Sequence, residues 1–306
     1  MLLSIVIPVY KGELLVDELV NRLTASLGSI TQDYEIILVE DGSTKESWEV
    51  VKNHAINNNK VRSILLSRNY GQHAAIYAGL SYSKGEWIVV MDCDLQDRPE
   101  EIINLYKTAT SGPHIVLAQR VERSHGFIKT KLSKLFYYSL AYLTDTEQDS
   151  SVANFGIYHR KVINAVLSMG DRFKFFPAMV KWVGFKKEKL KVQHDPRYDG
   201  KSSYSFKKLF NLGLEVVLTF SNKPLRIILK TGLIISLISL LMALRYVWQY
   251  INGDIKVAGF ASLIVSIWFF SGIIMFLVGV LGLYLGKLFD QTKNRPIYIV
   301  EEEINS

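Results

Sequence analysis

From Val257 to Gly286 the chain runs for 30 residues without a charged side chain, and no other feature limits its folding as much. About 20 helical residues at 1.5 Å rise span the ~30 Å apolar core of a bilayer. A helix buried in a water-soluble domain is rarely uncharged on every face for so long. A second run, Thr231–Ile251, is apolar apart from Arg245. The connection Asn252–Lys256 is short, so the two spans are expected to form a hairpin with both ends on one side. Arg226 and Lys230 precede it and Lys287, Lys293 and Arg295 follow it, whereas the loop offers only Lys256 as a basic residue. That bias places both ends in the cytoplasm. Arg245 falls roughly 21 Å into the first span, near the far interface, where its stem can snorkel among Tyr246, Trp248 and Tyr250. In the second span Gly272, Gly279, Gly282 and Gly286 share one helical face. Small residues there would admit a close neighbour, either the first span or a second copy in a homo-oligomer.

Residues 1–225 read instead as an ordinary soluble domain. The net charge of +7 favours an anionic partner. Beside two membrane spans, that partner is expected to be phosphate groups and an acidic lipid surface, not nucleic acid. The single cysteine, Cys93, excludes an internal disulfide framework and fits a reducing compartment. Met1–Val9 reads as a strand, not a signal peptide, so this domain is expected on the cytoplasmic side. Short runs rich in Val and Ile predict strands at Leu3–Val9, Tyr34–Glu40, Val61–Leu66, Glu86–Met91 and His114–Gln119. Helical patterns fall between them at Leu14–Leu27, Lys45–Asn57, His73–Ser83 and Pro99–Thr110. This alternation predicts an α/β domain with a largely parallel sheet. Ligands of such folds gather at the carboxyl ends of strands. Polar clusters stand at those ends here: Tyr10, Asp41-Gly42-Ser43, Arg68-Asn69-Tyr70-Gly71 and Asp92-Cys93-Asp94. No GxGxxG or Walker pattern is present, which leaves the dinucleotide and P-loop readings little support.

The segment Asp92-Cys93-Asp94-Leu95-Gln96-Asp97 follows the apolar Trp87–Met91. Two carboxylates and an amide oxygen at alternate positions suit Mg²⁺ or Mn²⁺, which accept oxygen ligands and leave places for substrate phosphates. Cys93 reads as a small filler, since thiolates prefer softer metals.

With these motifs the sequence resembles the family 2, GT-A-fold glycosyltransferases. More narrowly it resembles the polyprenyl-phosphate sugar transferases, the dolichol-phosphate mannose synthase and bactoprenol-phosphate glucosyltransferase group. The matching stretches are Ile5–Tyr10, Glu40–Ser43, Arg68–Ala75 with Gly79-Leu80, Asp92–Asp97 and Arg197–Ser202. The resemblance implies a GT-A (Rossmann-like) catalytic domain over 1–225, a transmembrane hairpin over 226–288 with spans near 231–251 and 260–284, and a cytoplasmic tail over 289–306. It implies a nucleotide-sugar donor, UDP-linked in preference to GDP, and a polyprenyl phosphate acceptor. It further implies that Pro8, Tyr10, Glu13, Asp41, Arg68 and Asp92 line the nucleotide-sugar pocket, while Asp94 and Gln96 hold the metal.

Arg120, Arg123, Lys129, Lys131 and Lys134 form a basic stretch leading into an amphipathic helix near 128–143, and a second such helix is expected near 204–221. Basic amphipathic helices lie in the membrane interface and attract anionic head groups. Ordinary core packing is the alternative reading of both. Arg197-Tyr-Asp-Gly-Lys-Ser-Ser resembles the loop that closes over donor and acceptor phosphates, with Arg197, Ser202 and Ser203 as contacts. Where relatives carry Asp-Phe, this chain has Asn154-Phe155, and an amide cannot act as a general base. The expectation is that none is needed, because a phosphate monoester has a second pKa near ~6 and is already nucleophilic at neutral pH. Asn154 then positions substrate. The rival readings are a transferase extending a lipid-diphosphate-linked saccharide, a non-catalytic membrane subunit, and a component of a lipid-sugar flippase.

Overall fold

A computed structural model of the chain describes residues 2–120, 152–171, 174–195, 221, 223–252 and 259–305. Two units are described separately. The first is a sheet of eight strands flanked by helices, in the order β7-β5-β6-β4-β1-β2-β3-β8. Its elements are β1 (Leu3–Val9), α1 (Val16–Gly28), β2 (Tyr34–Glu40), α2 (Lys45–Asn57), β3 (Val61–Leu66), α3 (Gln72–Tyr82), β4 (Trp87–Val90) and α4 (Glu101–Ala109). They continue with β5 (Ile115–Arg120), β6 (Val152–His159), α5 (Arg160–Leu167), α6 (Phe176–Trp182), β7 (Lys187–Val192) and β8 (Val300–Ile304).

Strands β1 and β2 are buried along their whole length. A strand covered by helices on both faces has no solvent side, which is why Leu3–Val9 and Tyr34–Glu40 are continuous apolar runs. β1 pairs parallel with β2 and β4, β2 with β3, and β5 with β7, while β6 and β8 run antiparallel to their neighbours. Helix α3 crosses close to this layer at Gly79, where a Cβ would stand 2.4 Å from Val6 Cγ1 and 3.1 Å from Val39 Cγ2. Helix α2 begins on Thr44, whose side chain accepts a hydrogen bond from the Ser47 N–H at 3.2 Å.

The parallel strands send their carboxyl ends to one rim, and antiparallel β6 begins at that same rim. Extending the β1–β4 register by two places sets Asp92 level with Pro8. The same extension of the β4–β6 register sets Asn154 level with Asp92.

One boundary differs from expectation. Residues 289–306 were expected as a tail, but 295–306 belong to the sheet unit and Val300–Ile304 pairs with β3. The stretch reads Val-Glu-Glu-Glu-Ile, and acidic residues are what keep an outermost strand soluble.

The second unit holds helices α7 (Lys223–Ile251) and α8 (Phe260–Thr292). Among the described residues one segment is long and apolar enough to cross a membrane by length and composition, Ser266–Thr292, with a mean hydropathy of 2.2. Trp268, Phe269, Met275 and Phe276 are all exposed along it. A Cβ added at Gly272, Gly279, Gly282 or Gly286 would meet nothing within 4 Å.

Candidate active site

The rim is built from loops that fix one another. Glu40 ends β2 with its side chain fully buried, accepting hydrogen bonds from the Ser43 N–H (3.1 Å), the Ser43 hydroxyl and the Ser47 hydroxyl (2.6 Å). Those two hydroxyl oxygens in turn accept the N–H groups of Lys11 (2.9 Å) and Gly12 (3.1 Å). Glu40 therefore ties the loop after β1 to the loop after β2. Burial raises its pKa.

Asp41 makes the next tie. Its two carboxylate oxygens accept the N–H groups of Tyr70 (2.7 Å) and Gly71 (2.9 Å), holding the loop after β3. Burial pushes its pKa up to about 6 despite those bonds. Gly42 lies with φ +57° against the same loop, and a Cβ there would stand 2.3 Å from the Arg68 carbonyl carbon. Only glycine lets the two backbones approach so closely. Arg68 stacks over the Tyr70 ring at 4.3 Å, and Tyr10 is about half exposed above β1.

The acidic turn leaves β4 beside these loops. Asp92 Oδ1 accepts a hydrogen bond from Gln72 Nε2 at 2.6 Å, at the start of α3. Asp94 Oδ1 accepts the Gln96 N–H at 3.2 Å. Between them Leu95 takes φ +57° with its side chain buried, so the turn is pinned into the core. Burial pushes the Cys93 thiol up to about 12, so it stays protonated at neutral pH. No group of three His, Cys, Asp or Glu side chains that could hold a metal ion is found among the described residues. Two carboxylates and an amide oxygen still fit Mg²⁺ or Mn²⁺, which commonly take one or two carboxylates and fill the other positions with phosphate and water. Glu13 also belongs to this rim, and its Oε2 is buried without a hydrogen-bond partner among the described residues.

This arrangement joins an acidic turn after β4 to acid-held loops after β1, β2 and β3, at the point where the sheet order reverses around β1. The profile of glycosyl transferase family 2 matches residues 4–167, which span that whole arrangement. The chain belongs to glycosyl transferase family 2.

Among similar proteins, the uncharacterised glycosyltransferase YkcC of Bacillus subtilis is 35% identical over 98% of this chain and 93% of its own. The undecaprenyl-phosphate 4-deoxy-4-formamido-L-arabinose transferase of Photorhabdus laumondii is 34% identical over 98% of this chain and 94% of its own. In fold, the chain is similar to the glucosyl-3-phosphoglycerate synthase of Mycobacterium tuberculosis, solved with Mn²⁺ and UDP-glucose. That likeness has a TM-score of 0.50 at 13% identity, covering 71% of this chain and 77% of that one.

In this family 2 transferase the rim gathers Pro8, Tyr10, Glu13, Asp41, Arg68, Asp92, Asp94, Gln96 and Asn154, and β5 ends there at Arg120. Arg123, Lys129, Lys131, Arg197, Ser202 and Ser203 lie outside the described residues, as do the first expected amphipathic helix and the second up to residue 220. Two features of the site are not visible in the sequence. Gln72 lies within a recognisable motif, but its reach to Asp92 depends on α3 starting beside β4. The second is a set of contacts between residues 96–98 and 193–195, whose partners are commonplace polar residues about a hundred positions apart.

Proposed function

We propose that this glycosyltransferase moves one sugar from a UDP-linked donor to polyprenyl phosphate, most simply undecaprenyl phosphate, at the cytoplasmic face of a membrane. The observation that carries this reading is the acidic turn Asp92–Asp97 at the mouth of a family 2 rim, in a chain that also bears the apolar helix Ser266–Thr292. A relative named for transfer to undecaprenyl phosphate, aligned over nearly the full length of both chains, supports the acceptor class.

In this reading Pro8, Tyr10, Glu13, Asp41 and Arg68 hold the nucleotide, and Asp92 faces the ribose and sugar. Asp94 and Gln96 hold Mg²⁺ or Mn²⁺, which when bound supplies charge neutralisation for the diphosphate leaving group. The chain itself has little covalent chemistry to perform. An acceptor phosphate above its ~6 second pKa is already nucleophilic, so the protein's contribution is alignment and electrostatic stabilisation. Asn154, level with Asp92, positions substrate and does not accept a proton. A single displacement at the anomeric carbon inverts its configuration. Arg120, Arg123, Lys129, Lys131, Arg197, Ser202 and Ser203 serve the phosphates, with 128–143 and 204–221 at the lipid interface.

The test is to incubate purified full-length protein with undecaprenyl phosphate, Mn²⁺ and a panel of nucleotide-sugars. A lipid-linked sugar labile to mild acid should form, and should be lost with Asp94→Asn or chelator. Product that forms only on a lipid-diphosphate saccharide would overturn the acceptor assignment.

A further inference from the structure

Residues 193–195, just past the end of β7, lie as a strap across the acidic turn. The Asp195 N–H donates to the Gln96 carbonyl at 2.9 Å. Asp97, almost wholly buried, forms an antiparallel bridge with His194, and its Oδ1 lies 3.3 Å from the His194 Nδ1. Arg98 closes the strap with a fork. Its Nε donates to Asp195 Oδ2 at 2.7 Å, one terminal nitrogen to Asp195 Oδ1 at 2.5 Å, and the other to Gln193 Oε1 at 2.5 Å. The segment beyond is fastened too. Glu101 Oε1 accepts the Gln193 N–H at 3.2 Å, and Arg22 holds Glu100 through two bonds of 2.9 and 2.7 Å.

The turn needs such holding for two reasons. Leu95 is a non-glycine residue in the left-handed region, a conformation that L side chains rarely adopt and that persists only where surroundings impose it. Asp92, Asp94 and Asp97 also crowd three carboxylates into six positions, and like charges so close repel. We propose that the strap presets this turn for a divalent cation, with Arg98 and Asp195 acting as positioning residues and not as ligands. The inference rests on the cation-assisted transfer proposed above.

The strap reaches the site through one peptide unit. Gln96 gives its carbonyl to the strap while its side chain is one of the expected ligands, so the backbone from which that ligand projects is fixed beforehand. The Arg98–Asp195 pair is itself about one-third exposed on each side, and an ion pair that open to water adds little to global stability. Its two-pronged geometry instead fixes direction. The consequence is a separable effect: loosening the strap should weaken cation binding much more than it weakens the fold.

The experiment measures Mn²⁺ binding to the full-length protein in detergent, without sugar donor or acceptor, from the electron paramagnetic resonance signal of free Mn²⁺. Thermal unfolding is followed in parallel. Arg98→Ala and Asp195→Asn should each weaken Mn²⁺ binding about 10- to 100-fold, the range for partners that orient metal ligands, with Tm close to wild type. Asp195→Asn preserves side-chain volume and carries the comparison if Arg98→Ala does not fold. Mn²⁺ affinity equal to wild type in a folded variant overturns the inference, as does a loss of affinity matched by a collapse in Tm. Asp94→Asn separates this from the underlying reading. Wild-type protein that binds no Mn²⁺, or an Asp94→Asn variant that binds it unchanged, removes the metal site itself and the strap's role with it.

Discussion

Asp41 holds the loop Tyr70–Gly71 with both carboxylate oxygens while almost wholly buried. Burial outweighs the two donated N–H groups and lifts its pKa from 3.8 to about 6. The folded state therefore binds this proton more tightly than the unfolded chain does. The stabilising contribution of the protonated form is complete below about pH 4 and disappears as pH rises through 6. A rise of that size corresponds to roughly 2–3 kcal/mol. Asp41→Asn cannot titrate, so it lacks this pH-dependent contribution. Groups common to both proteins, the raised Glu40 among them, cancel in the difference, so the Tm of wild type should fall relative to that of Asp41→Asn between pH 4 and 7. Thermal unfolding of both proteins in detergent across that range decides it, and a wild-type Tm that rises with pH relative to the variant's removes the raised pKa. The motif Glu40-Asp41-Gly42-Ser43 marks this residue in the sequence. Its grip on a loop 29 positions away is not legible there, because that contact exists only once β2 and β3 are paired.

At the scale of elements, strands β1 to β5 were legible because helices cover the core of the sheet and leave its strands continuous Val- and Ile-rich runs. β6, Val-Ala-Asn-Phe-Gly-Ile-Tyr-His, carries no such run although it lies inside the sheet between β5 and β4, and the other two strands without the signal lie at the edges. β7 reads Lys-Glu-Lys-Leu-Lys-Val and β8 Val-Glu-Glu-Glu-Ile, both charged in the way that keeps an open edge from pairing with another chain. The acidic turn was legible as oxygen donors after an apolar strand, whereas its strap was not, since Gln193, His194 and Asp195 form no pattern of their own. β8 has a measurable role. Glu302 accepts hydrogen bonds from Lys52 Nζ (2.5 Å) and Trp48 Nε1 (3.1 Å). Asn305 Nδ2 lies within bonding distance of the carbonyls of Ala55, Asn58 and Val61. The Ser67 N–H donates to the Ile299 carbonyl at 3.0 Å, just before Arg68. Deleting 297–306 would bare the edge of β3 and release the start of that loop. The truncated protein should unfold at lower temperature, aggregate on size-exclusion chromatography and show a raised donor KM. A truncation with wild-type Tm and KM would leave β8 without the role given to it.

For the whole molecule, the return of the chain to its own sheet decides how many times it can cross a membrane. Strands β1 to β7 precede α7 and α8, and β8, which follows them, pairs with β3. Strands of one sheet lie on one side of a bilayer, so the number of crossings between Val192 and Val300 must be even. If Ser266–Thr292 is a span, there has to be a second. Helix α7, whose Thr231–Ile251 portion carries only Arg245 as a charge, is long enough at 29 residues to supply it. For such a pair, Arg226 and Lys230 would flank the entry and Lys287, Lys293 and Arg295 the exit, and the proposed shared side is then the cytoplasm. A fluorescent protein fused after Ser306 should therefore fluoresce, since it folds in the cytoplasm. Alkaline phosphatase inserted within 253–256 should be active, since it needs the oxidising far side. Cysteine labelling of intact cells at position 254, in a chain whose own Cys93 is replaced by Ala, gives the same answer without a bulky reporter. If both reporters lie on one side, Ser266–Thr292 and α7 do not cross as a pair, and the chain would reach its lipid acceptor from the membrane surface instead of from a hairpin.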